Sequence, residues 1–165
     1  MAAVVVPPTP FLVSIASLGV TLAGFSGLVS AFRRGIAWKP IDAYRLRQIP
    51  EMGLATAVVA LATLPLADTA GAGTALRIAS GGALVFTIGH GVILIWRSVG
   101  RRIKQSRVAL AWAAGIDLLV LATALVSIGL GTTAAYEWLL VVLVGRPMVA
   151  FVLVLSDVSE ERSDG

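Results

Sequence analysis

Five apolar runs, each about as long as a bilayer is thick, make up most of this chain. They extend over roughly 11–32, 50–66, 75–99, 108–130 and 135–155. An α-helix rises 1.5 Å per residue, so ~20 apolar residues cross the ~30 Å hydrocarbon core of a membrane. Hydrophobic residues make up 58% of the chain and charged residues 13%, with a mean hydropathy of +0.92, which leaves too little polar surface to cover a soluble core. The expected fold is therefore all-α: an antiparallel bundle of five transmembrane helices forming a single membrane-embedded domain over residues 1–165. An uncharged lead (residues 1–10) and a polar tail (residues 156–165) are expected to be flexible ends.

The charges between the runs set an expected topology. Arg33, Arg34, Lys39, Arg45 and Arg47 lie between the first and second runs, and Arg97, Arg101, Arg102, Lys104 and Arg107 between the third and fourth. Cytoplasmic loops carry an excess of Lys and Arg, so both segments are expected inside the cell, with the N-terminus outside and the C-terminus cytoplasmic in the cell (inner) membrane. The net charge of +4 belongs to these segments, and nucleic-acid binding is not expected from it. Trp38, Trp96, Trp112, Tyr136 and Trp138 fall near run ends, where amphipathic rings prefer to sit. The second run is the shortest, and Pro50 is read as its start. Asp42 offers an earlier N-cap that would turn the stretch through Arg47 into an interfacial first turn or two.

Two ionisable residues interrupt the apolar runs at mid-depth: Asp117 in the fourth and Arg146 in the fifth. A lone charge at the bilayer centre costs roughly 2.5 to 3.5 kcal/mol on insertion scales, so each is expected to face a partner or a water-filled cavity. Asp117 lies ten residues from Arg107, and Arg146 eleven from Asp157, so on antiparallel helices the two reach one level about 15 Å inside the same face. A buried ion pair that sets the register of the hairpin is the favoured reading. A proton acceptor or cation ligand at Asp117, tuned by Arg146, is the second, and pairing with another subunit or a lipid headgroup is the third. Pro147 follows Arg146 directly and frees a backbone carbonyl a turn earlier. His90, between Gly89 and Gly91, is placed about one turn nearer the cytoplasm than Asp117 and completes a candidate intramembrane polar cluster with the pair.

Elsewhere the candidates are structural. Arg47 and Glu51, four residues apart, can form an interfacial salt bridge if the helix is continuous. Gly19, Ala23, Gly27 and Ala31 recur at four-residue spacing in the first run, and Ala79, Ala83, Thr87 and Gly91 in the third, rows that let helix backbones approach closely. The chain has no cysteine and one histidine, so neither a metal site nor a cofactor is expected. Phosphate-loop, serine-elbow and paired-histidine motifs are absent from the sequence, and Ser80 or Ser127 with His90 and Asp117 makes a triad only on paper.

The stretch Gly27–Gly35 (GLVSAFRRG), followed by Trp38, Asp42, Arg45, Arg47, Glu51 and the helix ending in Leu64, Pro65 and Leu66, resembles a diffuse group of small prokaryotic multi-span membrane proteins of uncharacterised function. The resemblance covers about the first forty percent of the chain and carries over no activity, substrate or binding residue. The expected function is that of a non-enzymatic structural or accessory membrane subunit, embedded in the lipid bilayer as a homo-oligomer or with another membrane subunit. The alternative is a small proton- or ion-conducting or coupled translocation protein built on Asp117, Arg146 and His90.

Overall fold

The computed structural model describes residues 4–32, 40–101 and 107–163. Among them the chain forms five helices and no strand: α1 (Thr9–Phe32), α2 (Pro40–Ala70), α3 (Ala72–Arg101), α4 (Arg107–Leu130) and α5 (Thr133–Ser163). Each holds a stretch long and apolar enough to cross a membrane: Thr9–Ala31, Leu46–Ala70, Ala72–Ile93, Ala111–Leu130 and Thr133–Val154. The expected all-α, five-span bundle is the observed fold. Arg33, Arg34, Lys39, Trp38, Arg102 and Lys104 lie outside the described residues.

Two tight turns make two hairpins. Gly71 (φ +79°) and Gly131 (φ +59°) adopt the left-handed conformation that glycine alone reaches without a Cβ penalty. Their amides close the ends of α2 and α4 on the carbonyls of Ala67 (3.0 Å) and Ser127 (2.8 Å). Helices α2, α3, α4 and α5 pack as a ring, each on its neighbour in the chain, with α5 returning to α2; α1 lies outside the ring against α2 and, to a lesser extent, α5.

Lipid solvates apolar side chains as well as another helix does, so hydrophobicity alone does not choose which helices touch. Here each side of the ring carries a polar tie. Gln48 Nε2 lies 3.2 Å from His90 Nε2 (α2 to α3), and Ser80 Oγ lies 2.7 Å from Ser127 Oγ (α3 to α4). Arg146 meets Asp117 (α5 to α4), and the Tyr136 hydroxyl donates to the Val59 carbonyl at 2.7 Å (α5 to α2). Each of the three neutral bonds is worth only about 0.6 kcal/mol, up to about 1.7, in membrane bundles, yet every tie rewards one neighbour and one register.

Helix α1 is held differently. Gly19 and Gly53 meet backbone to backbone: a Cβ on either would overlap the other's carbonyl oxygen and come within 3.1 Å of its carbonyl carbon. Of the first small-residue row, Gly19 makes this contact, Ala23 is half-buried, Ala31 is exposed and a Cβ on Gly27 would meet nothing within 4 Å. The row is used at one end only, and its partner Gly53 was not among the expected packing residues. In the other row Ala79, Ala83 and Thr87 are buried, while Gly91 is half-buried with open space where a Cβ would stand.

Several boundaries differ from expectation. Helix α2 begins at Pro40 and runs through Pro50 and Pro65, so Pro50 is interior. A proline removes one backbone donor, a loss that membrane helices tolerate where neighbours re-satisfy the freed carbonyl. Helix α5 continues to Ser163, so residues 156–163 are helical, and 164–165 lie outside the described residues. The lead is also docked. Pro7 is buried, Val6 packs on the core, and the Val5 carbonyl accepts a hydrogen bond from Thr133 Oγ1. Tyr136, expected at the interface, is fully buried because its hydroxyl has an acceptor inside the bundle; Trp96, Trp112 and Trp138 are exposed.

Candidate functional site

Asp117 and Arg146 face each other because the α4–α5 hairpin is symmetric about its turn. Asp117 stands thirteen residues before Leu130, and Arg146 thirteen after Thr133, so both lie ~20 Å below the turn on antiparallel helices. Asp117 also shares a face with buried Val120, Ala124 and Ser127, at spacings of three and four that point one stripe of α4 inward. Arg146 Nε comes 2.5 Å from Asp117 Oδ1, with the arginine side chain 3% exposed and the aspartate 27%. The expected contact is made within one chain.

The pair does not satisfy the whole guanidinium. Nε, Nη1 and Nη2 of Arg146 are all buried, and none makes an aligned hydrogen bond to protein. Thr87 Oγ1 is likewise buried without a hydrogen-bond partner. Buried N–H groups in hydrocarbon normally find acceptors, since each unmet one costs several kcal/mol. Among the described residues, Arg146 and Thr87 are therefore where the interior retains unmet hydrogen-bonding capacity.

Pro147 lacks the amide that would bond to the Leu143 carbonyl. The Thr56 hydroxyl of α2 approaches that carbonyl at 3.5 Å while donating to its own Met52 carbonyl at 2.9 Å. Thus α2 reaches the place where α5 has a loose carbonyl, one turn from the charge pair. Nothing in the sequence near Thr56 marks this role; only the freed carbonyl at Pro147 signals that some donor is wanted.

His90 lies at the same depth as Asp117, not a turn nearer the basic end. Ser80 and Ser127 touch, and ten residues further along each helix, ~15 Å, come His90 and Asp117. The expected placement counts His90 seven residues from Arg97 and Asp117 ten from Arg107, with both arginines at the cytoplasmic boundary. In fact Gly131 sits deeper along α3, with the guanidinium of Arg77 over it: a Cβ there would come 2.8 Å from Nε.

His90 nevertheless bonds to Gln48 and stacks on Phe86 (centroids 5.8 Å apart, 29° between planes), and among the described residues no hydrogen bond or ion pair joins it to Asp117 or Arg146. The polar cluster therefore resolves into two neighbouring pairs at one depth. Gln48 precedes Pro50, the expected start of the second run, and nothing in the sequence singles it out as a partner for His90. Ser80 and Ser127, bonded to each other ~15 Å from His90 and Asp117, assemble no catalytic triad.

At the basic end Arg47 Nε lies 3.1 Å from Glu51 Oε1, the expected i,i+4 bridge, with side chains 68% and 43% exposed. A surface pair of this kind contributes ~0.3–0.5 kcal/mol. Among the described residues no group of three or more His, Asp or Glu side chains is placed to hold a metal ion. The chain matches no protein-family model, no curated protein and no solved structure.

Proposed function

We propose that this chain is a non-enzymatic integral membrane protein of a prokaryotic inner membrane, acting through its packing as a structural or accessory subunit, as a homo-oligomer or beside another membrane subunit. Its N-terminus lies outside and its C-terminus in the cytoplasm, with the basic segments following the positive-inside rule. The observation that carries this reading is the use of the intramembrane charges: Asp117 and Arg146 compensate each other inside one hairpin. A pair closed in this way is far less costly in hydrocarbon than either ion alone, and it sets register. Gln48, Ser80, Ser127 and Tyr136 support the reading, since each ties two helices together.

Chemical cross-linking in native membranes and mass measurement of the extracted complex test the proposal. A fixed stoichiometry above one, or a co-extracted subunit, is expected, with no pH-driven flux across liposomes holding the pure protein. A monomer that conducts would overturn it.

One observation favours a second reading, a small proton- or ion-conducting or coupled translocation protein. Arg146 Nη1 and Nη2 and Thr87 Oγ1 are buried without protein acceptors, and His90 and Asp117 share their depth on adjoining helices. Under that reading Asp117→Asn and His90→Gln each fold and insert but abolish a flux seen in the wild type.

A further inference from the structure

A second feature lies at the other side of α2, where it meets α1. Below the Gly19–Gly53 contact the two helices part, and a groove of about 360 Å³ opens between them. Its α1 wall is Ala23, Ser26, Gly27 and Ser30, one helical stripe at spacings of three, one and three. Leu46 and Pro50 form the α2 wall, and Arg47 stands at the rim. The volume falls in the ~300–1,000 Å³ range of small-molecule sites. A Cβ added to Gly27 would enter this space and meet nothing within 4 Å.

The walls are apolar in effect. Ser26 Oγ donates to the Ala23 carbonyl (2.7 Å) and Ser30 Oγ to the Ser26 carbonyl (2.9 Å), so both hydroxyls turn back on their own helix. At the rim the chemistry reverses. In the sequence the apolar run of α1 gives way to Arg33 and Arg34 and that of α2 is preceded by Arg45 and Arg47, which puts the groove across the boundary between hydrocarbon and headgroups. Arg47 is largely exposed there and engages Glu51 through Nε alone, leaving the rest of its guanidinium fork for another acceptor. The sequence from 33 to 45 adds Arg33, Arg34, Lys39 and Arg45 against a single acid, Asp42.

We infer that this groove is a binding site for one anionic phospholipid, with an acyl chain lying along Ala23, Gly27 and Leu46 and the headgroup phosphate on Arg47. An apolar slot continuous with the hydrocarbon and capped by a guanidinium matches an amphiphile bearing a phosphate, and basic pockets between membrane helices recognise such headgroups. The site is separate from the Asp117–Arg146 pair, so it stands whichever function that pair serves.

The test is retention of lipid by the full-length protein in nanodiscs of phosphatidylcholine with graded phosphatidylglycerol, read by native mass spectrometry. One phosphatidylglycerol per chain is expected to survive extraction in preference to phosphatidylcholine. Arg47→Gln should cut that preference about fivefold, and Glu51→Gln, which removes the competing carboxylate, should raise it. Gly27→Leu should abolish retention of either lipid while keeping helicity and the melting temperature, and Ala23→Leu serves as a second filling variant.

Equal retention of both lipids by the wild type, or retention unchanged by both filling variants, overturns the inference. Displacement by millimolar inorganic phosphate alone would show a free-anion site and overturn it too. So would disulfide-linked dimers formed through Gly27→Cys in this cysteine-free chain, which would show the groove occupied by a second copy.

Discussion

Replacing Asp117 by Asn isolates the contribution of the intramembrane pair. The substitution keeps size and hydrogen-bonding shape but leaves Arg146 charged on a side chain that is 3% exposed. Unit charges about 4 Å apart attract by ~4 kcal/mol at an effective dielectric constant of ~20. Removing one partner of a buried pair typically costs 3–5 kcal/mol, since the remaining ion is uncompensated. The single variant Asp117→Asn should therefore lose about 3 kcal/mol, and Arg146→Gln a similar amount.

The double variant should recover most of that loss, because two neutral amides in contact leave no buried ion; its deficit should fall to within about 1–2 kcal/mol of the wild type. Reversible unfolding in mixed micelles titrated with denaturing detergent, followed by circular dichroism, reads these differences. A coupling free energy of at least 2 kcal/mol is the expected result. If the single losses add within about 0.5 kcal/mol, the residues do not interact and the pairing is refuted.

Three further outcomes follow from the packing. Gly53→Ala forces a methyl group into the Gly19 carbonyl and should destabilise the α1–α2 contact by about 1–3 kcal/mol, whereas Gly24→Ala, where a Cβ meets nothing within 4 Å, should be neutral or slightly stabilising; thermal melts of the two distinguish them. Tyr136→Phe removes the bond to the Val59 carbonyl and should lower stability by ~0.5–1.5 kcal/mol without altering helix content, checked by the same detergent titration. Thr56→Val removes the 3.5 Å contact to the Leu143 carbonyl together with the bond to the Met52 carbonyl and should cost ~0.5–1.5 kcal/mol, and less in a Pro147→Ala background that restores the α5 amide; a double-mutant cycle that shows no such rescue would refute the compensation.

Parts of the fold were legible from single residues and others were not. Counting ten residues from Arg107 and eleven from Asp157 brings Asp117 and Arg146 to one depth in the sequence, because antiparallel neighbours joined by a short hairpin convert residue counting into height. Counting failed for His90, since its height relative to Asp117 depends on how two hairpins slide past each other, and the Ser80–Ser127 contact sets that offset. Pro50 misled for a similar reason. Proline normally ends a helix, but inside a bundle its cost falls on neighbours the sequence does not identify, and Gln48 was thereby hidden as the partner of His90.

By itself the sequence determined that the chain forms five membrane-length helices, because desolvating the backbone in lipid admits few alternatives and each run carries its own length and polarity. It also determined that Asp117 and Arg146 can meet. The tertiary structure alone decided which helices form the ring, that Gly19 rests on Gly53, and that Gly27 lines an open groove while Ala83 is buried. The physical reason is common to all three. In a solvent as apolar as the side chains, hydrophobicity carries no information about neighbours, so partner choice falls to small-residue contacts and single hydrogen bonds whose two halves lie far apart in the chain.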